Sequence, residues 1–178
     1  MLSLTQIRNQ IRIPMQKSSA ILFCLGIFLV FTSCDSSHMF DAYKSVPGAW
    51  NKDDVVQFNF TQPDTTNAYN LFVNVRNNND YKYSNLFLIV DLEFPHGKSL
   101  TDTLEYKMAK PNGEFLGEGA SSIKENKLWY KDHFIFNESG NYKVKIQHAM
   151  RESGKVNGVI NLEGITDVGF RIEKPTTH

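Results

Sequence analysis

The chain has 178 residues, with 19 basic and 19 acidic side chains, 41% hydrophobic residues and two cysteines. This composition is near the globular average, which excludes collagen-like, low-complexity and disulfide-scaffold chains. Arg8, Arg12 and Lys17 are the only charged residues before residue 34, so removing residues 1–33 leaves 16 basic against 19 acidic side chains. A mildly acidic chain has no basic stripe to neutralise phosphates, and nucleic acid is therefore not expected as a partner.

The N-terminal segment has the layout of a cleaved export signal. Residues Ala20 to Phe31 form an uncharged run of twelve, preceded by Lys17 and followed by small residues. A permanent transmembrane helix needs about 20 apolar residues, whereas a signal-peptide core has the length seen here. We therefore predict a signal peptide over residues 1–33, with Met15 as the more natural start of the chain.

Cys34 follows this segment directly and is the candidate lipidation site. Residues Phe31 to Cys34 resemble a bacterial lipobox, although leucine is usual where this chain has phenylalanine. The resemblance implies that the cysteine is acylated and becomes the new N-terminus. Cys24 lies in the discarded segment, which leaves Cys34 as a single exported thiol. Two or three acyl chains would hold the protein stably on a membrane. The alternatives are an ordinary cleaved signal and an uncleaved anchor.

From Trp50 onward, apolar residues recur at every second position, which is typical of half-buried β-strands. Turn clusters rich in Asn, Asp, Gly and Pro separate the predicted strands. The strands are expected over residues 56–60, 69–75, 85–94, 103–108, 127–136, 142–150 and 168–172. This pattern predicts an all-β fold, a single antiparallel two-sheet β-sandwich of jelly-roll or immunoglobulin-like type, over residues 50–174.

The segments on either side of this domain have no strand pattern. We expect residues 34–49 to form the lipidated N-terminus and a spacer, and residues 175–178 to form a tail. Inside the domain, residues 117–126 could hold a short turn of helix. All other connections are predicted to be turns.

The sequence gives no sign of catalytic or metal chemistry. The five histidines are scattered without the spacing of a local metal site, and His148 is predicted to be a satisfied core histidine. Asp91 and Glu93 share one face of a strand, as the paired carboxylates of a glycosidase would, but a solvated strand end explains them better. We therefore predict no enzyme activity, no metal and no cofactor.

Aromatic residues offer another kind of site. Five of them form the predicted interaction surface: Trp50, Tyr81, Tyr83, Trp129 and Tyr130. Aromatic side chains are favoured at protein interfaces and can also stack on sugars, although most of those in a sandwich belong to the core. One hypothesis is a tethered domain that binds other proteins. The alternative is a glycan-binding module, which requires Trp50, Trp129 and Tyr130 to be exposed and coplanar.

Three stretches of the chain carry a resemblance to a known family: Phe94 to Glu118, Ser139 to Arg151, and Leu162 to Lys174. Together with the lipobox, they resemble the gliding-motility lipoprotein GldH family of Bacteroidetes over roughly residues 34–174. The resemblance implies a non-catalytic lipoprotein anchored in the outer membrane, whose partners are envelope proteins of the gliding machinery and of the type IX secretion system. Only Cys34 matches a functional position of the family.

Overall fold

The computed structural model describes residues 38–152 and 154–175. The predicted signal peptide over residues 1–33, Cys34 and the end of the tail lie outside the described residues. Within the described part the elements are ten β-strands: β1 (His38–Ser45), β2 (Ala49–Asn51), β3 (Val56–Thr61), β4 (Ala68–Asn77), β5 (Asn85–Glu93), β6 (Ser99–Lys107), β7 (Lys124–Ile135), β8 (Asn141–His148), β9 (Asn161–Glu163) and β10 (Ile165–Glu173). The described residues include no helix with the length and hydropathy needed to cross a membrane.

Eight of the strands form two antiparallel four-stranded sheets. The first sheet has the strand order β1-β10-β4-β7, and the second has the order β3-β8-β5-β6. The remaining strands, β2 and β9, pair as a short antiparallel ribbon. The chain passes from one sheet to the other at every connection between these eight strands except the one from β5 to β6. An immunoglobulin-like domain keeps its first two strands in one sheet. The crossings therefore define a jelly roll and decide between the two predicted sandwich types.

The core lies between the two sheets, where the alternation of the sequence places it. Along β5, every second side chain is fully buried, while the residues between them are half-exposed. Residues of β8 alternate in the same way. Because successive side chains of a strand point to opposite faces, this pattern gives each sheet one dry face. The prediction of an antiparallel all-β sandwich is confirmed.

The segment predicted to be a spacer is instead part of the sandwich. β1 occupies His38–Ser45 and pairs with β10, apart from one bulge near its start. Its inward-facing Phe40 packs against Phe60 of the second sheet, with 5.3 Å between ring centroids. The strand is hard to find in the sequence because it lies at a sheet edge and its inner face carries only two apolar residues, Phe40 and Ala42. The folded domain thus begins by His38 rather than at Trp50.

The helical turn predicted within residues 117–126 does not form. Glu118 and Glu125 pair as an antiparallel bridge with two backbone hydrogen bonds of 2.8 Å, and β7 begins in the same stretch. The backbones approach so closely that a Cβ atom on Gly117 would lie 2.9 Å from the carbonyl oxygen of Glu125. Packing therefore requires glycine at this position. The bridge between Glu118 and Glu125 shows that the segment is a folded-back loop rather than a helical turn.

The strands define two ends of the sandwich. At the near end, where β1 begins, the connections are residues 62–67, 94–98 and 136–140. The opposite end, which we call the far end, carries the β2–β9 ribbon and longer connections at residues 108–123 and 149–160. An aromatic cluster fills the core at the near end, where the ring of Phe60 packs against four others: Phe40, Phe136, Tyr142 and Phe170.

Candidate interaction surface

The structure separates the five aromatic residues of the predicted surface. Trp50 is fully buried, while Tyr81 and Tyr130 are only 3% and 7% exposed. Tyr83 is half-buried, and Trp129 is 55% exposed. Trp50, Tyr81 and Tyr130 therefore belong to the core and cannot form a contact surface. The coplanar, exposed platform that the glycan-binding hypothesis requires is not formed.

The buried members use their polar atoms inside the protein. Trp50 Nε1 donates a hydrogen bond to the carbonyl oxygen of Asp54 at 2.8 Å, and the Tyr130 hydroxyl donates to the carboxylate of Asp102 at 3.1 Å. Burial raises the pKa of Tyr130, and the nearby Asp102 carboxylate raises it further. An aromatic side chain with its polar tip satisfied internally has a structural role.

Tyr130 also helps to close the side of the sandwich where the edge strands β6 and β7 meet. Asp102 of β6 lies 2.9 Å from Nζ of Lys131, next to its contact with Tyr130. Farther along the same seam, the Tyr106 hydroxyl donates to the carbonyl oxygen of Trp129 at 2.6 Å. These contacts tie the edge of one sheet to the edge of the other.

Trp129 lies on the outer face of the first sheet, where it covers Phe72 of β4. The two ring centroids are 4.4 Å apart, and Lys127 Nζ lies 4.2 Å from the centroid of the Phe72 ring. Phe72 is only 3% exposed, although it points away from the core. Phe72 and Lys127 are not among the residues of the predicted surface. The available signal was an aromatic residue between Asn70 and Asn74 on the polar side of its strand.

Beside this stack, a polar network crosses all four strands of the first sheet. Tyr43 of β1 lies over Gly169 of β10, where an added Cβ atom would come within 2.8 Å of the ring. Asn74 of β4 donates to the Tyr43 hydroxyl at 2.9 Å, and that hydroxyl donates to Glu125 of β7 at 2.8 Å. Arg76 also donates to Glu125 at 2.8 Å, with its guanidinium 4.2 Å from the centroid of the Tyr43 ring.

The network fixes the charge of its members. Burial raises the pKa of Tyr43, and the hydrogen bond to the Glu125 carboxylate raises it further, so the hydroxyl stays neutral. Burial also raises the pKa of Glu125, but hydrogen bonds from Tyr43 and Arg76 outweigh this effect and hold the pKa below its usual range. A neutral tyrosine and an ionised, paired carboxylate act here as structural links between strands.

A groove of about 740 Å³ runs alongside, lined by residues of the 108–123 loop, β7 and β10. Its lining includes Leu116, which is 44% exposed, and the cationic side chains of Lys127 and Arg171. We call Trp129, Lys127, Leu116 and Arg171, with this groove, the β7 surface. It combines exposed apolar area with ion-paired cations, because Lys127 pairs with Glu173, and Arg171 pairs with Asp41 and Glu173.

Asp91 and Glu93 face lysines of β8. Asp91 accepts a hydrogen bond from the Thr101 hydroxyl at 2.9 Å, and Glu93 lies 3.0 Å from Nζ of Lys145 and 3.3 Å from Nζ of Lys143. Hydrogen bonds from Lys145 and Lys143 lower the pKa of Glu93. A paired, ionised carboxylate is poorly suited to act as a general acid. No group of three or more His, Cys, Asp or Glu residues in the described ranges could hold a metal ion.

His148 is buried in the core and 3% exposed, which confirms the predicted core position, but only one of its two ring nitrogens has a partner among the described residues. Its Nε2 atom lies 2.9 Å from the carbonyl oxygen of Trp50, which can only accept, so Nε2 carries the proton. Nδ1 is buried without a partner among the described residues. Burial lowers the pKa of the imidazole, the Trp50 carbonyl raises it and Lys52 lowers it, with a net decrease. His148 is a neutral core residue with one unsatisfied nitrogen.

These features define a class of protein, a jelly-roll domain with an aromatic core and an exposed tryptophan on one sheet face. Sequence comparison then identifies the family. The profile of the GldH lipoprotein family matches residues 38–172, which is nearly all of the described domain. The chain therefore belongs to the GldH lipoprotein family, as its resemblance predicts.

Two relatives match almost their whole length. The gliding motility lipoprotein GldH homolog of Christiangramia forsetii is 53% identical over 160 residues, covering 90% of this chain and 98% of that protein. The gliding motility lipoprotein GldH of Flavobacterium johnsoniae is 55% identical over 158 residues, covering 89% and 97%. Among solved structures, the VP2 subviral particle of infectious bursal disease virus matches with a TM-score of 0.33 and 14% identity, over 75% of this chain and 30% of that one. A similarity this weak gives no information about function.

Proposed function

We propose that the protein is a lipid-anchored, non-catalytic component of the gliding motility machinery that acts at the outer membrane by binding other envelope proteins. The observation that carries this proposal is the 55% identity to the Flavobacterium johnsoniae lipoprotein over 97% of that protein's length. Two chains so similar from end to end share their folded domain. We therefore expect one protein to replace the other in a cell.

The extent of the similarity supports a lipid anchor at Cys34. A match that covers 160 of 178 residues must begin no later than residue 19, so it includes the cysteine and the residues before it. Both the family and the relative are named as lipoproteins. We infer that residues 1–33 are removed, that Cys34 is acylated, and that the acyl chains hold the domain at the outer membrane.

The β7 surface supports a role in protein binding. Trp129 is 55% exposed and packs on the Phe72 ring beside Lys127, while Leu116 is 44% exposed and lines the groove with Lys127 and Arg171. Tryptophan and arginine are enriched among the residues that carry binding energy at protein interfaces. The glycan-binding alternative requires an exposed aromatic platform that includes Trp50 and Tyr130, and both of these residues are buried. A protein partner from the envelope is the occupant we propose.

Complementation tests the function directly. The chain is expressed in a Flavobacterium johnsoniae strain that lacks its own GldH, and the gliding speed of single cells on glass is measured. We expect the wild-type chain to restore gliding, the Cys34→Ser variant to fail, and Trp129→Ala to restore it only in part. Ile160→Ser is the matched control for the tryptophan, because Ile160 is 58% exposed and lies at the far end.

The outcomes separate the parts of the proposal. Failure of the wild-type chain, in cells where the native lipoprotein restores gliding, would contradict a role in the machinery. Full rescue by Cys34→Ser would contradict the need for an anchor, and recovery of the wild-type chain outside the outer-membrane fraction would contradict its location. Equal gliding with Trp129→Ala and Ile160→Ser, at equal protein levels on an immunoblot, would contradict the β7 surface as the binding site.

A further inference from the structure

We propose that the near end of the sandwich rests on the membrane surface, which leaves the β7 surface free for a protein partner. This inference depends on the proposed acylation of Cys34. Only residues 35–37 separate Cys34 from His38, the first residue of β1. An extended chain spans at most about 3.6 Å per residue, so the Cα atoms of Cys34 and His38 are no more than about 14 Å apart.

This tether cannot lengthen unless the first sheet opens. β1 pairs with β10 from His38, opposite Glu173, onward. The Phe40 ring is held in the aromatic cluster, 5.3 Å from that of Phe60 and 6.4 Å from that of Phe170. Peeling β1 away would expose Phe40 and break the backbone ladder. The far end lies roughly 25 to 30 Å away, because strands of eight or nine residues rise about 3.3 Å per residue.

Two exposed apolar side chains favour an upright domain over one that lies on its side. Met39 of β1 is 42% exposed, and Ile135 of β7 is 50% exposed. These strands are opposite edges of the first sheet, and both residues lie at the near end. A domain lying on its β1 edge would hold Ile135 about 14 Å farther from the bilayer, since adjacent strands are about 4.8 Å apart. Of these two arrangements, only the upright one brings both side chains to the interface.

The near-end loops are joined to one another and form a firm base. The backbone N–H of Gly140 donates to Oε1 of Gln62 at 3.0 Å, which links the β7–β8 and β3–β4 loops. His96 Nδ1 lies 2.9 Å from the carboxylate of Glu138, which links the β5–β6 and β7–β8 loops. A base whose three loops move as a unit can keep one orientation on a flat surface, while the longer connections of the far end are presented outward.

The cysteine content of the chain makes this arrangement measurable. Once Cys24 leaves with the signal peptide and Cys34 is acylated, an introduced cysteine is the one reactive thiol. Thr65→Cys and Ser139→Cys place a fluorophore on two different near-end loops, and Ser122→Cys and Val156→Cys place it on two far-end connections. All four positions are exposed. The acylated proteins are reconstituted in phosphatidylethanolamine–phosphatidylglycerol vesicles that contain lipids with a spin label on the headgroup.

We expect the headgroup spin label to quench both near-end fluorophores at least about threefold more than either far-end fluorophore, given their separation along the strands. A long Gly-Ser insertion after Asp35 should abolish the difference, because it frees the domain from the surface. If the fluorophore on Ser139→Cys were quenched no more than the one on Val156→Cys, the upright arrangement would be wrong and a domain lying on its side would be favoured. The mass of each protein is measured first, since an unacylated Cys34 would contradict the proposed anchor, whereas equal quenching of acylated proteins contradicts only the orientation.

Discussion

The outer faces of the two sheets begin from the same alternating pattern but are built differently. On the first sheet, Asn70, Phe72 and Asn74 point away from the core and yet are only 8%, 3% and 1% exposed. On the second sheet, the outward residues of β5, including Phe87 and Ile89, remain half-exposed. The first sheet therefore carries an additional layer of packed side chains that the second lacks.

The additional layer depends on a close fit between side chains of different strands. Gly169 leaves room for the Tyr43 ring, which reaches over it to Asn74 and Glu125, and Trp129 covers Phe72. The second sheet instead carries lysine–carboxylate pairs on its solvated face. Exposed ion pairs contribute little to stability because water and salt screen them. The outer face of the first sheet therefore contributes to the stability of the fold, whereas that of the second sheet is solvated and contributes little.

Removing the central ring from each face tests this contrast most strongly. We expect Phe72→Ala to lower the free energy of unfolding by about 3 kcal/mol, as for a core phenylalanine. Phe87→Ala should cost about 1 kcal/mol, because less apolar area is lost. Guanidinium unfolding of the mature chain, with Cys34→Ser in both variants and in the reference, gives the two values. Similar losses would show that the two faces are equally solvated.

A single hydroxyl on each face tests the polar layer. In Tyr43→Phe, the amide of Asn74 loses its acceptor and Glu125 loses a donor, and a buried unsatisfied group costs about 1 to 3 kcal/mol. In Thr101→Val, the Asp91 carboxylate, whose side chain is 23% exposed, can bond water in place of the lost hydroxyl. We expect about 2 kcal/mol for the first variant and a change within error for the second, by the same unfolding measurement. A larger effect for Thr101→Val would reverse the assignment of the two faces.

The contrast between the faces also shows what the sequence can and cannot predict. The alternation of β5 and β8 identifies the core correctly, because a strand buried on one face has to alternate. Trp129 and Tyr130 are adjacent in sequence, but Trp129 is 55% exposed and Tyr130 is 7% exposed. The local sequence pattern does not indicate which of the two is buried. The choice depends on the register of β7 against β4, which is a tertiary property.

The same limit explains the other differences from the predicted site. Phe72 is covered by Trp129 and Lys127, which are distant in sequence, so its burial cannot be seen within its own strand. Trp50 is buried because the β2–β9 ribbon carries it into the core, and a strand of three residues has too few positions to show a period. The Cys34 prediction is of another kind, since a lipobox is a local motif that needs no tertiary information.

As the pH is lowered, His148 on the inner side of the second sheet should lose its contribution to stability before Glu125 on the outer face of the first sheet does. The pKa of buried His148 lies below its ordinary value of 6.5, so the unfolded chain takes up the proton first. Its contribution to stability is complete above pH 6.5 and decreases as the pH falls below that value. The pKa of Glu125 lies below 4.5, so its contribution is lost only below about pH 4.5.

Unfolding midpoints measured from about pH 8 to about pH 3 should therefore decrease in two steps. His148→Gln should remove the upper step, because the amide can still donate to the Trp50 carbonyl but does not titrate. Glu125→Gln should reduce the lower step and leave the upper one. An upper step that persists in His148→Gln would show that another group is responsible for it.

The smallest effect on stability is expected from removing an ion pair. The two outer faces should differ in how strongly salt screens their ion pairs. Lys145 lies 3.0 Å from Glu93 and 3.6 Å from Asp91, with 36% of its side chain exposed, so Lys145→Gln should leave the unfolding midpoint unchanged within error in high salt. Arg171 lies between Asp41 and Glu173 and only 18% of its side chain is exposed, so Arg171→Gln should lower the midpoint in both low and high salt. Urea unfolding at two concentrations of sodium chloride measures both, because urea adds no charge of its own. If high salt removed the effect of Arg171→Gln as well, the ion pairs of the first sheet would be as solvated as those of the second, and its additional layer would depend on uncharged side chains such as Tyr43, Phe72, Asn74 and Trp129.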